Sequence, residues 1–276
     1  MQASAPPARG RTGERMPVLF VGHGSPVNAI EDNEFSRGFA ALARLLPRPR
    51  AILAVSAHWY VAGTHLTGNA HPPTIHDFSG FPEALEAIRY PAPGSTELAE
   101  RVRGLLGPGR ATLRSDWGLD HGTWSVLKWI YPAAEIPVVQ LSLDAALTPS
   151  QHFDLARPLR ELRSEGVLVL GSGNVTHDLR EAFRRMRDGD ASVPEVSRRF
   201  DETVERALVE HDAARLVGLW PGTEAGRRNH PTPDHWLPLL YACAAVDAGE
   251  RVEFPITGFD VGLSMRSVLF GRRAER

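Results

Sequence analysis

Four histidines stand in four short, unrelated contexts, and three of them follow apolar runs of the kind that form sheet strands. His23 comes after Val18-Leu19-Phe20-Val21, and His58 after Ile52-Leu53-Ala54-Val55-Ser56-Ala57. His177 follows Val167-Leu168-Val169-Leu170 across a Gly171-Ser-Gly-Asn174 stretch that reads as a turn. The fourth, His235, lies in Pro231-Thr-Pro-Asp-His-Trp236, just inside an apolar helix expected to run to Ala248. In an open parallel sheet, ligands bind beyond the carboxyl ends of the strands. Imidazoles delivered there from separate strands would converge, and convergent imidazoles are what a divalent metal needs.

Taken singly, each histidine has a plain structural role open to it. His65, His152, His211 and His230 are assigned to such roles and kept out of the site. Glycines on both sides of His23 let the backbone turn sharply after a strand. His58 closes a strand buried enough to be continuously apolar, where an unpaired imidazole costs about 1–3 kcal/mol, so a partner is expected. His177 leads into Asp178-Leu179-Arg180, where a capping role fits as well, and His235 could simply pack at a helix end. Three strand-terminal imidazoles and a fourth beside them are harder to explain as independent accidents than as one site.

The elements that must position them alternate along the chain. A helix at 34–46, with Phe35, Phe39, Leu42 and Leu46 at helical spacing, is stopped by Pro47 and Pro49 before the strand at Ala51. Residues 62–94 carry many Gly, Pro and His residues and read as a long irregular loop, functional or mobile. Helices at 95–106, 122–130 and 150–163 and strands at 136–143 and 166–170 continue the alternation. A long charged helix at 194–219 and strands at 252–256 and 264–270 complete the reading, the last strand serving as a sheet edge or a self-association surface. With 276 residues, 42% of them hydrophobic, one α/β domain with a mostly parallel central sheet flanked by helices is the economical fold. Its metal site is expected at the carboxyl ends of the strands.

The remaining composition narrows the function. A formal charge of −2 gives no field that would draw nucleic acid or an anionic membrane. No apolar run approaches the length of a membrane span. The single cysteine, Cys243, rules out an intramolecular disulfide and a cysteine-built zinc site and fits a reducing cytoplasm. Residues 1–15 are expected to be a loose tail and not a signal peptide, and Met16, at the start of the first strand, is an alternative start of translation. The catalytic domain is then 16–276.

Six segments in order carry a resemblance: Gly22-His-Gly-Ser-Pro26, Ser56-Ala-His-Trp59, Asp77-Phe-Ser-Gly-Phe-Pro82, Asp116-Trp-Gly-Leu-Asp-His-Gly-Thr-Trp124, Gly171-Ser-Gly-Asn174 with His177, and Pro231-Thr-Pro-Asp-His-Trp-Leu-Pro-Leu-Leu-Tyr241. From Met16 to Phe270 the chain resembles the class III extradiol ring-cleavage dioxygenases, in particular their DOPA 4,5-dioxygenase-like group. The resemblance implies a non-haem metal site in which His23 and His58 are paired ligands and His235 the third. It implies that His177 is either the acid/base or a fourth ligand, and that His121 holds substrate. Asp77, Phe78 and Ser25 fall on the substrate side, with the loop through Asp77, Phe78 and Phe81 covering the ring.

In protocatechuate-type relatives the third ligand is glutamate, whereas this chain offers histidine. The site is thus one negative charge short, which favours a catecholate dianion and also suits zinc; Asp234 is the candidate to supply the missing charge from beyond the ligands. Fe(II) is the expected catalytic metal and Zn(II) the expected occupant of purified material, because zinc cannot change redox state to activate dioxygen. The implied substrates are a catechol and O2. A zinc-dependent hydrolase and a non-enzymatic metal-binding protein of the same fold are the alternatives.

Overall fold

Ten strands and ten α-helices alternate along residues 15–271, the part of the chain described by the computed structural model. The strands are β1 (Val18–Gly22), β2 (Ala51–Val61), β3 (His65–Thr67), β4 (Thr112–Arg114), β5 (Val138–Asp144), β6 (Val167–Gly173), β7 (Val252–Ile256), β8 (Phe259–Asp260), β9 (Leu263–Ser264) and β10 (Ser267–Phe270). The helices are α1 (Glu34–Leu42), α2 (Glu83–Glu86), α3 (Thr96–Leu106), α4 (His121–Ile130), α5 (Pro149–Ala156), α6 (Leu179–Asp188), α7 (Glu195–Val209), α8 (Ala213–Leu219), α9 (Glu224–Asn229) and α10 (Leu237–Ala244). Short 3-10 helices occupy Pro26–Ala29 and Arg157–Glu165.

Eight strands form one sheet in the order β4-β3-β5-β2-β6-β1-β10-β7, and β8 and β9 form a separate hairpin. The centre, β5-β2-β6-β1, is parallel, while β10 runs antiparallel between β1 and β7. This is the single α/β domain with a mostly parallel sheet that the alternating sequence pattern predicts. Successive side chains point to opposite faces of a strand, and both faces are covered. Phe20, Leu53, Val139 and Val169 belong to one core with Tyr241 and Leu240 of α10. Leu19, Ile52, Val138 and Leu168 belong to the other, with Phe39 of α1 and Trp124 and Leu127 of α4. Each such side chain contributes about 1.5–3 kcal/mol by leaving water.

The boundaries differ from the sequence reading in ways that matter for the site. Gly171-Ser-Gly is not a turn but the last part of β6. These glycines serve close approach: a Cβ on Gly171 or Gly173 would fall within 3.0 Å of the Pro238 or His235 carbonyl oxygen, so the entry to α10 lies directly on the strand. His235 is not inside a helix; it precedes α10, which starts at Leu237 with Pro238 in its first turn and ends at Ala244. The helix expected at 150–163 changes to 3-10 geometry at Arg157–Glu165, where Pro158 cannot donate an α-helical hydrogen bond.

The single helix expected at 194–219 is two. α7 ends at Val209, His211 takes the left-handed conformation with φ 53°, and the Asp212 side chain caps α8 by accepting the Arg215 N–H. The C-terminal strand β10 is interior, because β7 covers it. The tail expected at 1–15 lies outside the described residues except for Arg15, which is exposed and pairs with Asp247. Among the described residues, no helix is long and apolar enough to cross a membrane.

Candidate metal centre

The parallel trio β2-β6-β1 brings the site together. His23 leaves the end of β1, and its N–H donates to the Gly173 carbonyl at 3.0 Å, prolonging the ladder to β6. His58 lies within β2 rather than at its end, but in an irregular stretch. Pairing with β6 stops at Ser56, and the register with β5 shifts between Val55 and Tyr60. Such a bulge re-aims a side chain out of the regular alternation. His235 is held over β6 by its carbonyl, which accepts the Asn174 N–H at 3.0 Å.

The three rings converge, with centroid separations of 5.0 Å for His23 and His58, 5.2 Å for His23 and His235, and 4.9 Å for His58 and His235. One nitrogen from each lies within 4.8 Å of the others. Their outer nitrogens are all engaged. His23 Nδ1 is 3.0 Å from Ser172 Oγ, His58 Nδ1 is 3.1 Å from Asp77 Oδ2, and His235 Nδ1 is 2.5 Å from Asp234 Oδ2. The Ser172 hydroxyl donates to the Gly122 carbonyl at 2.5 Å, leaving its lone pairs for His23 Nδ1–H. With each Nδ1 so engaged, the inner Nε2 is left as a lone-pair donor, the arrangement found behind metal-bound histidines.

The inner nitrogens test whether a cation fits. His23 Nε2 and His58 Nε2 face each other at 3.1 Å, and His235 Nε2 is buried with no hydrogen-bond partner among the described residues. An orphaned buried nitrogen costs about 1–3 kcal/mol, and a divalent metal removes that cost for all three at once. Burial, reinforced by the neighbouring imidazoles, holds His23 and His235 well below 6.5 and therefore neutral. Burial also pulls His58 down, but the Asp77 contact and the charges of Asp120 and Asp234 outweigh it and leave this imidazole raised.

Two further histidines flank the trio. His121 opens α4 behind Asp120, whose buried carboxylate caps the helix by accepting the Thr123 N–H at 3.2 Å. The His121 ring centroid is 3.8 Å from that of His58, and burial followed by His58 lowers its pKa to about 4. Its Nδ1 is 2.9 Å from Asp77 Oδ1 but off the line of a good hydrogen bond. His177 stacks flat on His235, with centroids 3.3 Å apart and planes 6° apart, and burial lowers its pKa to about 3. It groups with Asp234 and His235, not with the three convergent nitrogens.

The other expected site residues fall at different distances from the chemistry. Phe78 sets its ring edge-on to His121 at 5.4 Å, next to Phe81. Asp77 is engaged by His58 and His121, and Ser25 uses its hydroxyl to accept the Val27 N–H at 3.4 Å at the start of a 3-10 helix. Three of the four histidines assigned structural roles have such contacts. His152 contacts the Tyr241 hydroxyl at 3.0 Å, His65 contacts Thr112 Oγ1 at 2.7 Å, and His230 Nε2 donates to the Val175 carbonyl at 2.8 Å. Sequence reasoning did not single out Ser172 or Asp120. An aspartate directly before a helix start is a capping signature, so Asp120 was findable; Ser172, one polar residue between two glycines, gave no sign of facing His23.

A sheet whose parallel strands gather three imidazoles at one end, with two more along the rim, defines a class of α/β enzyme built around a histidine cluster. Residues 17–261 match the family described as the catalytic LigB subunit of aromatic ring-opening dioxygenase, and the chain belongs to that family. It is 46% identical over 261 residues to a 4,5-DOPA dioxygenase extradiol of Escherichia coli (strain K12), covering 93% of this chain and 95% of that protein. A protein of the same description from Beta vulgaris is 36% identical over 252 residues, covering 89% and 92%. A crystal structure of an uncharacterised Escherichia coli K12 protein matches with a TM-score of 0.80 at 42% identity, over 93% of this chain and 100% of that one. The chain is an extradiol ring-cleavage dioxygenase.

Proposed function

We propose that the substrate is a DOPA-like catechol and that His23, His58 and His235 hold Fe(II) through their inner nitrogens. The observation that carries this reading is the convergence of one nitrogen from each of three imidazoles, with all three Nδ1 atoms engaged and His235 Nε2 buried and unpaired. Bound there, Fe(II) would supply the one-electron chemistry that lets dioxygen react with a catechol, and Zn(II) in the same place would not. Asp77 and Asp234, behind two of the ligands, supply negative charge to a ligand set that has none of its own.

His177 is proposed as the acid/base. Its imidazole is neutral at pH 7 and so offers a lone pair, and the negative charge of Asp234, together with that of a bound catecholate, would raise its basicity enough to take a catechol hydroxyl proton and return it once the ring has opened. Its stacking on His235 fixes where that proton is held. His121 is proposed to contact a substrate oxygen through Nε2, with Phe78 and Phe81 shielding the ring from water. We place the reaction in the cytoplasm, consistent with a lone cysteine that has no disulfide partner.

The test is oxygen uptake by protein reconstituted anaerobically with Fe(II) and offered a panel of catechols that includes DOPA. Stoichiometric uptake with a yellow ring-fission product, absent when Zn(II) replaces Fe(II), is the expected result. Hydrolysis of esters or amides with zinc and no oxygen uptake would overturn it in favour of a hydrolase, and inertness with both metals in favour of a binding protein.

A further inference from the structure

Asp77 is the only carboxylate among the described residues that touches two of the clustered histidines at once through separate oxygens. Oδ2 lies 3.1 Å from His58 Nδ1, and Oδ1 lies 2.9 Å from His121 Nδ1. Oδ1 also accepts the main-chain N–H of His121 at 3.0 Å. That N–H is one of the donors a helix start leaves without a partner, so α4 itself anchors the carboxylate.

The segment carrying Asp77 is latched to the same helix. Ile75 N–H donates to the Leu119 carbonyl at 2.7 Å, and the Trp124 indole donates to the Ile75 carbonyl at 2.8 Å. One residue further on, Phe78 meets His121. The carboxylate, the helix start and the aromatic cover therefore form one unit.

We infer that Asp77 is a positioning residue: a two-sided clamp that holds both His58 and His121 as their Nδ1–H tautomers, so that both Nε2 atoms face the reaction space as lone pairs. The inference rests on the proposed metal reading for the role of His58, but not for the tautomer of His121. An ionised carboxylate only accepts, so an Nδ1 held 2.9–3.1 Å from its oxygens is favoured as N–H even where the contact is bent, as at His121, because a bare Nδ1 would set lone pair against lone pair. Neutral imidazole has one N–H, and placing it on Nδ1 strips Nε2. One side then orients a ligand. The other makes His121 an acceptor of a substrate hydroxyl proton, and not a donor to a substrate oxygen.

The amide of Asp77→Asn breaks this symmetry, because it offers one acceptor and one donor where the clamp needs two acceptors. The full-length protein loaded with Zn(II), selectively labelled with ¹⁵N at histidine, gives the first readout: ring nitrogen shifts report the His121 tautomer without turnover. The second is the Zn(II) dissociation constant, measured by competition with a chromophoric chelator. Asp77→Asn is expected to shift His121 towards its Nε2–H tautomer and to weaken zinc by roughly tenfold to a hundredfold, the usual loss when a partner behind a ligand is removed.

His121→Phe, which removes one arm only, is expected to leave zinc affinity within about threefold while weakening catechol binding. Asp77→Ser, smaller than the native residue, repeats the measurement if the amide variant does not fold. An unchanged His121 tautomer in either Asp77 variant, or zinc affinity unchanged within about threefold, overturns the clamp. A wild-type chain that holds no zinc overturns the metal reading instead, and the tautomer still decides the clamp.

Discussion

Gly173→Ala should disable the centre without touching any histidine. The added methyl would fall inside 3.0 Å of the His235 carbonyl oxygen and 3.1 Å from its carbonyl carbon, whereas ordinary contact begins at 3.4 Å. Neither neighbour is a flexible side chain, so backbone must retreat, by about 1 Å, either in β6 or in the Pro231–Trp236 turn. β6 is pinned on both sides by β1 and β2, so the turn is the part that moves, and His235 moves with it. Overpacking of this kind costs about 1–3 kcal/mol of stability, and a 1 Å displacement of a reacting group costs about a hundredfold in rate. The assay is oxygen uptake with Fe(II) and a catechol, together with Zn(II) affinity and thermal melting. Gly104→Ala in α3, where a Cβ meets nothing within 4 Å, serves as the control and should stabilise by about 0.4–1 kcal/mol. If Gly173→Ala melts lower but retains wild-type zinc affinity and turnover, the claim that this glycine sets the position of His235 is refuted.

Metal analysis of purified variants should separate ligands from the proton carrier: His23→Ala and His58→Ala lose metal, while His177→Ala keeps it and loses turnover. If His177→Ala also empties the site, its role is ligation. Acid should destabilise the protein below pH 6.5, because burial lowers both His152 and His230 to about 4 and the unfolded chain then takes up protons that the folded chain refuses. The loss runs from about pH 6.5 down to about pH 4 at roughly 1.4 kcal/mol per unit for each histidine, and chemical denaturation of His152→Asn across that range should show a shallower slope. Asp201→Ala strands the buried Arg266 guanidinium, now held by Asp201 at 2.5 and 3.0 Å, and should cost about 3 kcal/mol in urea titrations. An effect under about 1 kcal/mol would show that Glu205, 2.8 Å from the same guanidinium, suffices alone.

The sequence made the strands legible because the central ones are buried on both faces. Continuous apolar runs such as Val18–Val21 and Val167–Leu170 are four residues long and flanked by Gly or Pro, which marks them as strands buried on both faces. The direction of the chemistry followed, since parallel strands end together. Local geometry was less legible, because it is set by contacts distant in sequence. The glycines of Gly171-Ser-Gly look the same whether they make a turn or admit a crossing backbone, and only the Pro238 and His235 carbonyls decide between the two. His58 shows the same limit: nothing in Ser56-Ala-His-Trp59 reveals that its strand continues past it in bulged register to Val61. The role of Asp77 depends on the separation between two rings that the chain places 63 residues apart, from His58 to His121.

The covering of β10 by β7 decides how two copies of the molecule could meet. Among the described residues the sheet has two rims, the three-residue β4 with its charged Arg114 and β7 with Pro255 next to its end. Proline, which cannot donate to a ladder, is confined to edge strands such as this one, and a rim of three residues gives a newcomer little to grip. Continuous pairing of sheets across a twofold axis is thereby disfavoured.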